Sequence, residues 1–128
     1  MMMVKFIDSH YKKKLFKLFN FGKHVRDFTY VNDVVEILYL LLKAHKKLPN
    51  NDIFNICSND PISLEKIIDF MKKNGINPKV KKVILQKADI LKTHGDNKKL
   101  LKYIKFKKFT NWKKALKKTI TWYQENMI

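Results

Sequence analysis

The sequence predicts an α/β fold, and three observations carry that prediction. Residues 22–42 read as a turn, a short strand and a helix in immediate succession. A second apolar run, Ile53-Phe54-Asn55-Ile56-Cys57, is followed by a helical pattern opening at Ser63. A third strand-like run, residues 79–85, separates that helix from two more helical stretches at the C-terminal end. Strand-length and helix-length patterns therefore alternate along the chain, as they do in α/β proteins. At 128 residues the chain holds at most one domain, spanning residues 1–128.

Taken in order, residues 1–13 read as a helix, with Met3, Phe6, Ile7 and Tyr11 roughly sharing a face. No capping residue precedes it. Phe16 to Phe21 alternate well enough for a strand, and Gly22-Lys23 makes a turn. Residues 26–31 carry β-branched and aromatic side chains, and Asn32 is placed to cap the following helix. Asp33 then puts a negative charge in its first turn, where the helix dipole favours one. From Val34 to Leu42 that helix is apolar almost all round, which predicts cover on several sides. Lys46 and Lys47 follow its C-terminal end, and Pro49-Asn50-Asn51-Asp52 is a turn.

Residues 53–57 read as a short buried strand. Ser63 begins a helix in which Leu64, Ile67, Ile68 and Met71 recur at helical spacing, and Gly75 stops it. Residues 79–85 follow as a strand of weak alternation. Asp96 is placed to cap residues 97–104. Asn111 is placed to cap a last helix with Trp112, Ala115, Leu116, Thr119, Ile120, Tyr123 and Met127 on one face. Lys113, Lys114, Lys117 and Lys118 line another.

A formal charge of +17 admits an acidic partner such as nucleic acid, an anionic membrane or a phosphorylated substrate. The lysines are scattered from Lys5 to Lys118 and interrupted by apolar positions, which favours a lysine-biased composition on solvated faces. The one cysteine, Cys57, permits no internal disulfide and fits a reducing compartment. It lies in an apolar run and reads as a small buried residue rather than a nucleophile. No run reaches the roughly 18 apolar residues of a membrane span. The start of the chain lacks the pattern of a signal peptide, so a cytoplasmic location is the expectation.

Of 28 basic residues, only Arg26 is an arginine. A chain that uses lysine elsewhere and arginine once has a use for a planar, bidentate cation, such as gripping a phosphate or carboxylate. The alternative is a structural ion pair, with Asp27 or Asp33 as the nearest partners in sequence.

The stretch Arg26-Asp27-Phe28-Thr29-Tyr30-Val31-Asn32-Asp33-Val34-Val35 resembles a signature of NAD-dependent nucleotide-sugar epimerases and dehydratases. These are extended short-chain dehydrogenase/reductases, and the UDP-glucuronate 4-epimerase group is the nearest in pattern. Only Asn32 departs from it. Gln86 and Asp89, in the loop of residues 86–90, match the family's Gln-Pro-Gly-Asp-Val, while Lys87 and Ala88 depart. Cys57 and Ser58 stand where the family has small residues.

The resemblance implies a Rossmann-type fold of which this chain keeps the C-terminal, substrate-binding portion, with short strands and about five helices. Met1 then corresponds to an internal position of a longer protein, and the N-terminal dinucleotide-binding domain is absent. Arg26 would hold a diphosphate, with Asn20, Asn55 and Asn59 as weaker hydrogen-bonding candidates. Gln86 and Asp89 would reach the diphosphate or ribose side.

NAD is the cofactor of the intact family, but none is expected on this chain alone. Its pyrophosphate needs a glycine-rich turn, and Gly22, Gly75 and Gly95 are far apart. The family's Tyr-x-x-x-Lys pair occurs as Tyr39…Lys43 and Tyr103…Lys107, neither in the family's context. With five tyrosines and about one lysine in five residues, about one such match arises by chance. His10, His24, His45 and His94 show no metal spacing.

The reading is therefore a UDP-hexuronate-type nucleotide-sugar-binding portion of an epimerase or dehydratase, inactive by itself. Its setting would be polysaccharide synthesis. Its expected partners are a UDP-sugar and a chain carrying the N-terminal half, or a second copy; no membrane is expected. The alternative is a small lysine-rich nucleic-acid-binding module.

Overall fold

The computed structural model describes residues 2–87 and 89–128. Expectations for Met1, at the start of the first helix, and for Ala88, in the 86–90 loop, lie outside the described residues. The elements are α1 (Met2–Tyr11), β1 (Phe16–Phe19), β2 (Val25–Asp27), α2 (Val31–Lys43), β3 (Pro61–Ser63), α3 (Leu64–Lys73), β4 (Val80–Val83), α4 (Lys98–Leu101) and α5 (Trp112–Met127). The α/β class and the five helices match the expectation.

Two strand pairs frame the molecule. β1 and β4 run parallel, from Phe16 opposite Val80 to Phe19 opposite Val83. β2 and β3 are antiparallel, with Val25 opposite Ser63 and Asp27 opposite Pro61. On its other side β2 takes a short parallel bridge: Val25 N–H donates to the Leu91 carbonyl at 2.9 Å, and Thr93 N–H to that of Val25 at 3.0 Å. This bridge carries the 86–97 segment to the end of β2, where the candidate site is built.

The main core joins α1, β1, α3 and α5 through Phe6, Ile7, Leu18, Ile67, Met71 and Ile120. Local signals place α3 well. Ser63 Oγ accepts from the Lys66 N–H, the four apolar positions are all buried, and Gly75 takes φ +86° beyond the last turn. Asn111 caps α5 by accepting from the Lys113 N–H at 3.0 Å, though Met127 of the expected apolar face is exposed. Tyr123 is buried, and its hydroxyl donates to Asp8 at 2.6 Å, tying α5 to α1.

Four expectations need correction, as do the cap and extent of α4. The first strand stops at Phe19, because Asn20, Phe21 and Gly22 all take positive φ (46°, 54° and 87°), which breaks the extended backbone. Residues 53–57 form no strand, and Ile53 is 82% exposed. A buried strand needs a neighbour to receive its N–H and C=O groups, and none lies alongside among the described residues. Phe54 and Ile56 instead pack on a second, smaller core.

The third correction concerns the start of α2. Asn32 is not its cap; Tyr30 is, without a side-chain bond. The start is fixed from outside the helix, since buried Asp33 accepts from both the N–H and the hydroxyl of Thr110 at 2.7 Å each. Asp96 accepts from the Lys98 N–H at 2.8 Å, but the residue at the cap is Asn97, without a side-chain bond, and the helix ends at Leu101, short of residue 104.

The fourth is the largest. α2 is covered on one side only, where Ile37 meets Leu100 and Ile104, flanked by Leu40, Leu41 and Phe106. Val31 (63%), Val35 (61%), Leu38 (49%), Tyr39 (56%) and Leu42 (72%) stay exposed. Their spacing of four, three and four from Val31 through Val35 and Leu38 to Leu42 puts them on one apolar stripe of the helix. No described helix is long and apolar enough to cross a membrane.

Candidate functional site

β2 is three residues long and half-buried, so its polar side chains are held by loops that converge on it rather than by a wide sheet. Arg26 donates through Nη1 to the carbonyls of Val25 (2.9 Å) and Leu91 (3.2 Å). Its Nη2 reaches Asp89 Oδ1 at 3.1 Å. Three of the five guanidinium donors are thus used, and the other two have no partner among the described residues. The ion-pair alternative finds its carboxylate in Asp89, 63 residues away, and not in Asp27 or Asp33.

Asp89 is shared. Its Oδ2 lies 3.0 Å from Nε2 of His24, which is 2% exposed. The contact is close, but it is not aligned as a hydrogen bond. Gln86 belongs to the same loop, its carbonyl accepting from the Asp89 N–H at 3.0 Å.

Asp27 organises the other side of β2. Its Oδ1 accepts from the Ser58 hydroxyl and the Asp60 N–H, and its Oδ2 from the N–H groups of Asn59 (3.1 Å) and Gly95 (3.2 Å). One carboxylate thereby gathers the 58–60 and 93–97 segments. Asn59 takes φ +57°, and its Oδ1 is 2.6 Å from His94 Nε2. Asn55 donates to the Asp96 carbonyl at 3.4 Å, and Thr29 Oγ1 accepts from the Ser58 N–H at 3.1 Å.

Of the residues singled out by sequence, the structure thus joins Arg26 to Asp89, with Gln86 in the same turn. Asn59 and Asn55 belong to the loops around Asp27. Asn20 lies apart, in the turn after β1, its carbonyl accepting from Lys23. His24 and Asp27 were missed as site residues. A signal existed for His24, because it stands two residues before Arg26 in extended chain and so points to the same side. For Asp27 the signal was its place in the signature, which gave no partners, since these are all distant in sequence.

The backbone at Gly95 approaches the Cys57 side chain closely, and the lack of a side chain on Gly95 permits it. A Cβ on Gly95 would fall 2.5 Å from Cys57 Sγ. Burial pushes the Cys57 thiol up from its ordinary range, and the Asp27 carboxylate adds to this. A thiol held protonated is a poor nucleophile, as expected, but Cys57 is only partly buried rather than buried.

The residues present do not form a cradle for the pyrophosphate of NAD. Gly22 packs against Leu18 and Glu65, Gly75 ends α3, and Gly95 faces Cys57. None opens a helix after a strand. Tyr39, expected inside a buried helix, is exposed, and Lys43 Nζ sits over its ring 4.4 Å from the centroid. Tyr103 packs edge-on against Phe54. Among the described residues no group of His, Cys, Asp and Glu could hold a metal ion.

Comparison with known proteins agrees with the signature at β2 and α2. Residues 1–57 match the NAD dependent epimerase/dehydratase family. An uncharacterized protein of Methanocaldococcus jannaschii is 35% identical over 115 residues, which are 88% of this chain and 34% of that protein. The UDP-glucuronate 4-epimerase of Thermodesulfobacterium geofontis is 31% identical over 130 residues, 99% of this chain and 39% of the enzyme. The chain thus spans between a third and two fifths of the length of these relatives. The solved structure of MoeE5 in complex with UDP-glucuronic acid and NAD covers 99% of this chain with a TM-score of 0.83. At 19% identity that likeness establishes the fold, and it takes in 42% of the neighbour.

Proposed function

We propose, for a chain that matches the C-terminal portion of the NAD-dependent epimerase/dehydratase family, that it forms the nucleotide-sugar side of such an enzyme. The observation that supports this is the state of Arg26. The one arginine is anchored in the middle of β2 by two carbonyls and a carboxylate, with two donors left over. A fixed guanidinium with two spare N–H groups suits two oxygens of a diphosphate. Asp89 and Gln86 lie on the same loop, and a carboxylate there accepts from ribose hydroxyls rather than binding phosphate. The ligand class we assign is a UDP-hexuronate, and the reaction served is NAD-dependent epimerisation in polysaccharide synthesis.

NAD and the tyrosine–lysine pair would come from a dinucleotide-binding half, in the same polypeptide or another. The exposed seam Val31, Val35, Leu38 and Leu42 is the face we assign to it. A second copy of this chain is the weaker occupant, because each copy carries +17 and like charges repel.

Titration of UDP-glucuronic acid into the 128-residue chain by calorimetry tests the site. Arg26→Lys should weaken binding by about 1–3 kcal/mol, the range of a charge-assisted hydrogen bond. Equal binding by both proteins would return Arg26 to a purely structural role. Raising salt from about 0.05 M to about 0.2 M should change the affinity little. A loss of about a thousandfold for a nucleic acid ligand, with no UDP-sugar binding, would favour the lysine-rich module instead.

A further inference from the structure

Charge is unevenly distributed along the chain. Between Asp96 and Glu125 lie ten lysines and no acidic residue, so these 28 residues hold +10 of the net +17. All eleven acidic residues lie outside the stretch. Four of the ten, Lys113, Lys114, Lys117 and Lys118, are exposed on one stripe of α5, because Leu116, Ile120 and Tyr123 turn the opposite face into the core. The stripe runs on to Trp122, whose indole is left 49% exposed.

This stripe is one wall of an open groove of about 680 Å³, and Phe70 of α3 stands on the other side. Glu125, at the far end, is the one acidic residue lining it. None of the four lysines enters an ion pair among the described residues. Lys113 Nζ lies 5.6 Å from the Trp112 ring centroid and Lys118 Nζ 5.6 Å from that of Tyr30, so aromatic faces steer two of them.

We infer that this groove binds a single-stranded nucleic acid, with the lysines on phosphates and Trp122 under a base. The inference does not rest on the Arg26 site. Lysine ammonium groups are point charges that neutralise phosphates without the fork geometry of an arginine. Helical rise sets Lys113 and Lys117, and likewise Lys114 and Lys118, about 6 Å apart along the axis, so the charges form a track rather than a point. An exposed indole at the end of that track offers a flat face on which any base stacks. Asn111 is spent on the α5 cap, and the stripe holds no arginine or glutamine, so recognition follows backbone and stacking rather than sequence. A flat anionic membrane suits this face less well, because the charges line a concavity.

The test follows the anisotropy of a labelled oligonucleotide of about 12 thymidines, within the span of one such site, as the 128-residue chain is added. Four phosphate contacts predict that log affinity falls against log salt with a slope of about −2.8, at about −0.7 each. Lys114→Gln with Lys117→Gln should halve the slope to about −1.4 and leave the thermal midpoint in place. Trp122→Ala should weaken binding about tenfold, within the range for one stacked base, and Trp122→Phe should restore most of it. In the wild type the oligonucleotide should quench tryptophan fluorescence, a reading independent of how any variant folds. No binding at about 0.05 M salt, an unchanged slope in the double lysine variant, or full affinity in Trp122→Ala would overturn the inference. Binding to phosphatidylserine vesicles without binding to the oligonucleotide would overturn it in favour of a membrane face. Equal binding of single strand and duplex, with tryptophan fluorescence unmoved, would do the same in favour of a bare polyanion surface.

Discussion

Thr110 donates both its backbone N–H and its hydroxyl to the carboxylate of Asp33, each at 2.7 Å. The bond joins the first turn of α2 to the residue before the cap of α5. A carboxylate with two such partners is harder to replace than one that only complements a helix dipole. Asp33→Ala should cost about 3 kcal/mol, because it strands two donors that faced a charge. Urea unfolding midpoints check this. A loss of a few tenths of a kcal/mol would reduce Asp33 to its dipole role.

The contact between Tyr123 and Asp8 predicts a pH response. Hydrogen bonds from Lys12 and Tyr123 hold the Asp8 carboxyl below its ordinary value, and the bond to Asp8 raises the phenol of Tyr123. A lowered carboxyl stabilises the fold above its unfolded-state value, and that contribution fades as pH falls through the folded-state value. The raised phenol contributes below its unfolded-state value and fades as pH rises through the folded-state value. Thermal midpoints should therefore drop below about pH 4, near the ordinary aspartate value, and Tyr123→Phe should drop less steeply. Parallel acid profiles for the two proteins would remove this pair from the account.

Gly95 has almost no room for a side chain. Gly95→Ala would place its Cβ 2.5 Å from Cys57 Sγ and 2.8 Å from Cys57 Cβ. The expected loss is about 1–3 kcal/mol, the range for an overpacked site. Adding Cys57→Gly should restore part of it, since both clashing atoms are then gone. A stable single variant with an unchanged spectrum would show that the 93–97 segment moves aside at little cost.

The uncovered face of α2 carries the last prediction. Each large apolar side chain left in water forgoes roughly 1.5–3 kcal/mol, against a domain's margin of about 5–15 kcal/mol. With Val31, Val35, Leu38, Tyr39 and Leu42 exposed, the chain alone should bind a hydrophobic dye and self-associate as concentration rises. Leu38→Lys with Leu42→Lys should abolish both effects without lowering the unfolding midpoint. Sedimentation and dye fluorescence decide it. A monomer with a sharp transition above about 60 °C and no dye binding would show that this face needs no cover.

What the sequence determined by itself is the set of features whose causes lie within one helical turn or one strand. Ser63 and Asn111 were legible as caps, because a cap bonds to an N–H two or three residues on. The faces of α3 and α5 were legible from periodicity, and the signature at residues 26–35 pointed to Arg26. Tertiary structure decided what those residues meet. Arg26 meets Asp89 across 63 positions, and Asp27 collects partners 31 to 68 positions away. Asp33 starts α2 through Thr110 rather than through the local cap at Asn32. Residues 53–57 have the composition of a strand and are not one, because pairing needs a neighbour that composition cannot supply. The same holds for α2: its apolar content is a property of thirteen consecutive residues, while its cover depends on which other surfaces reach it.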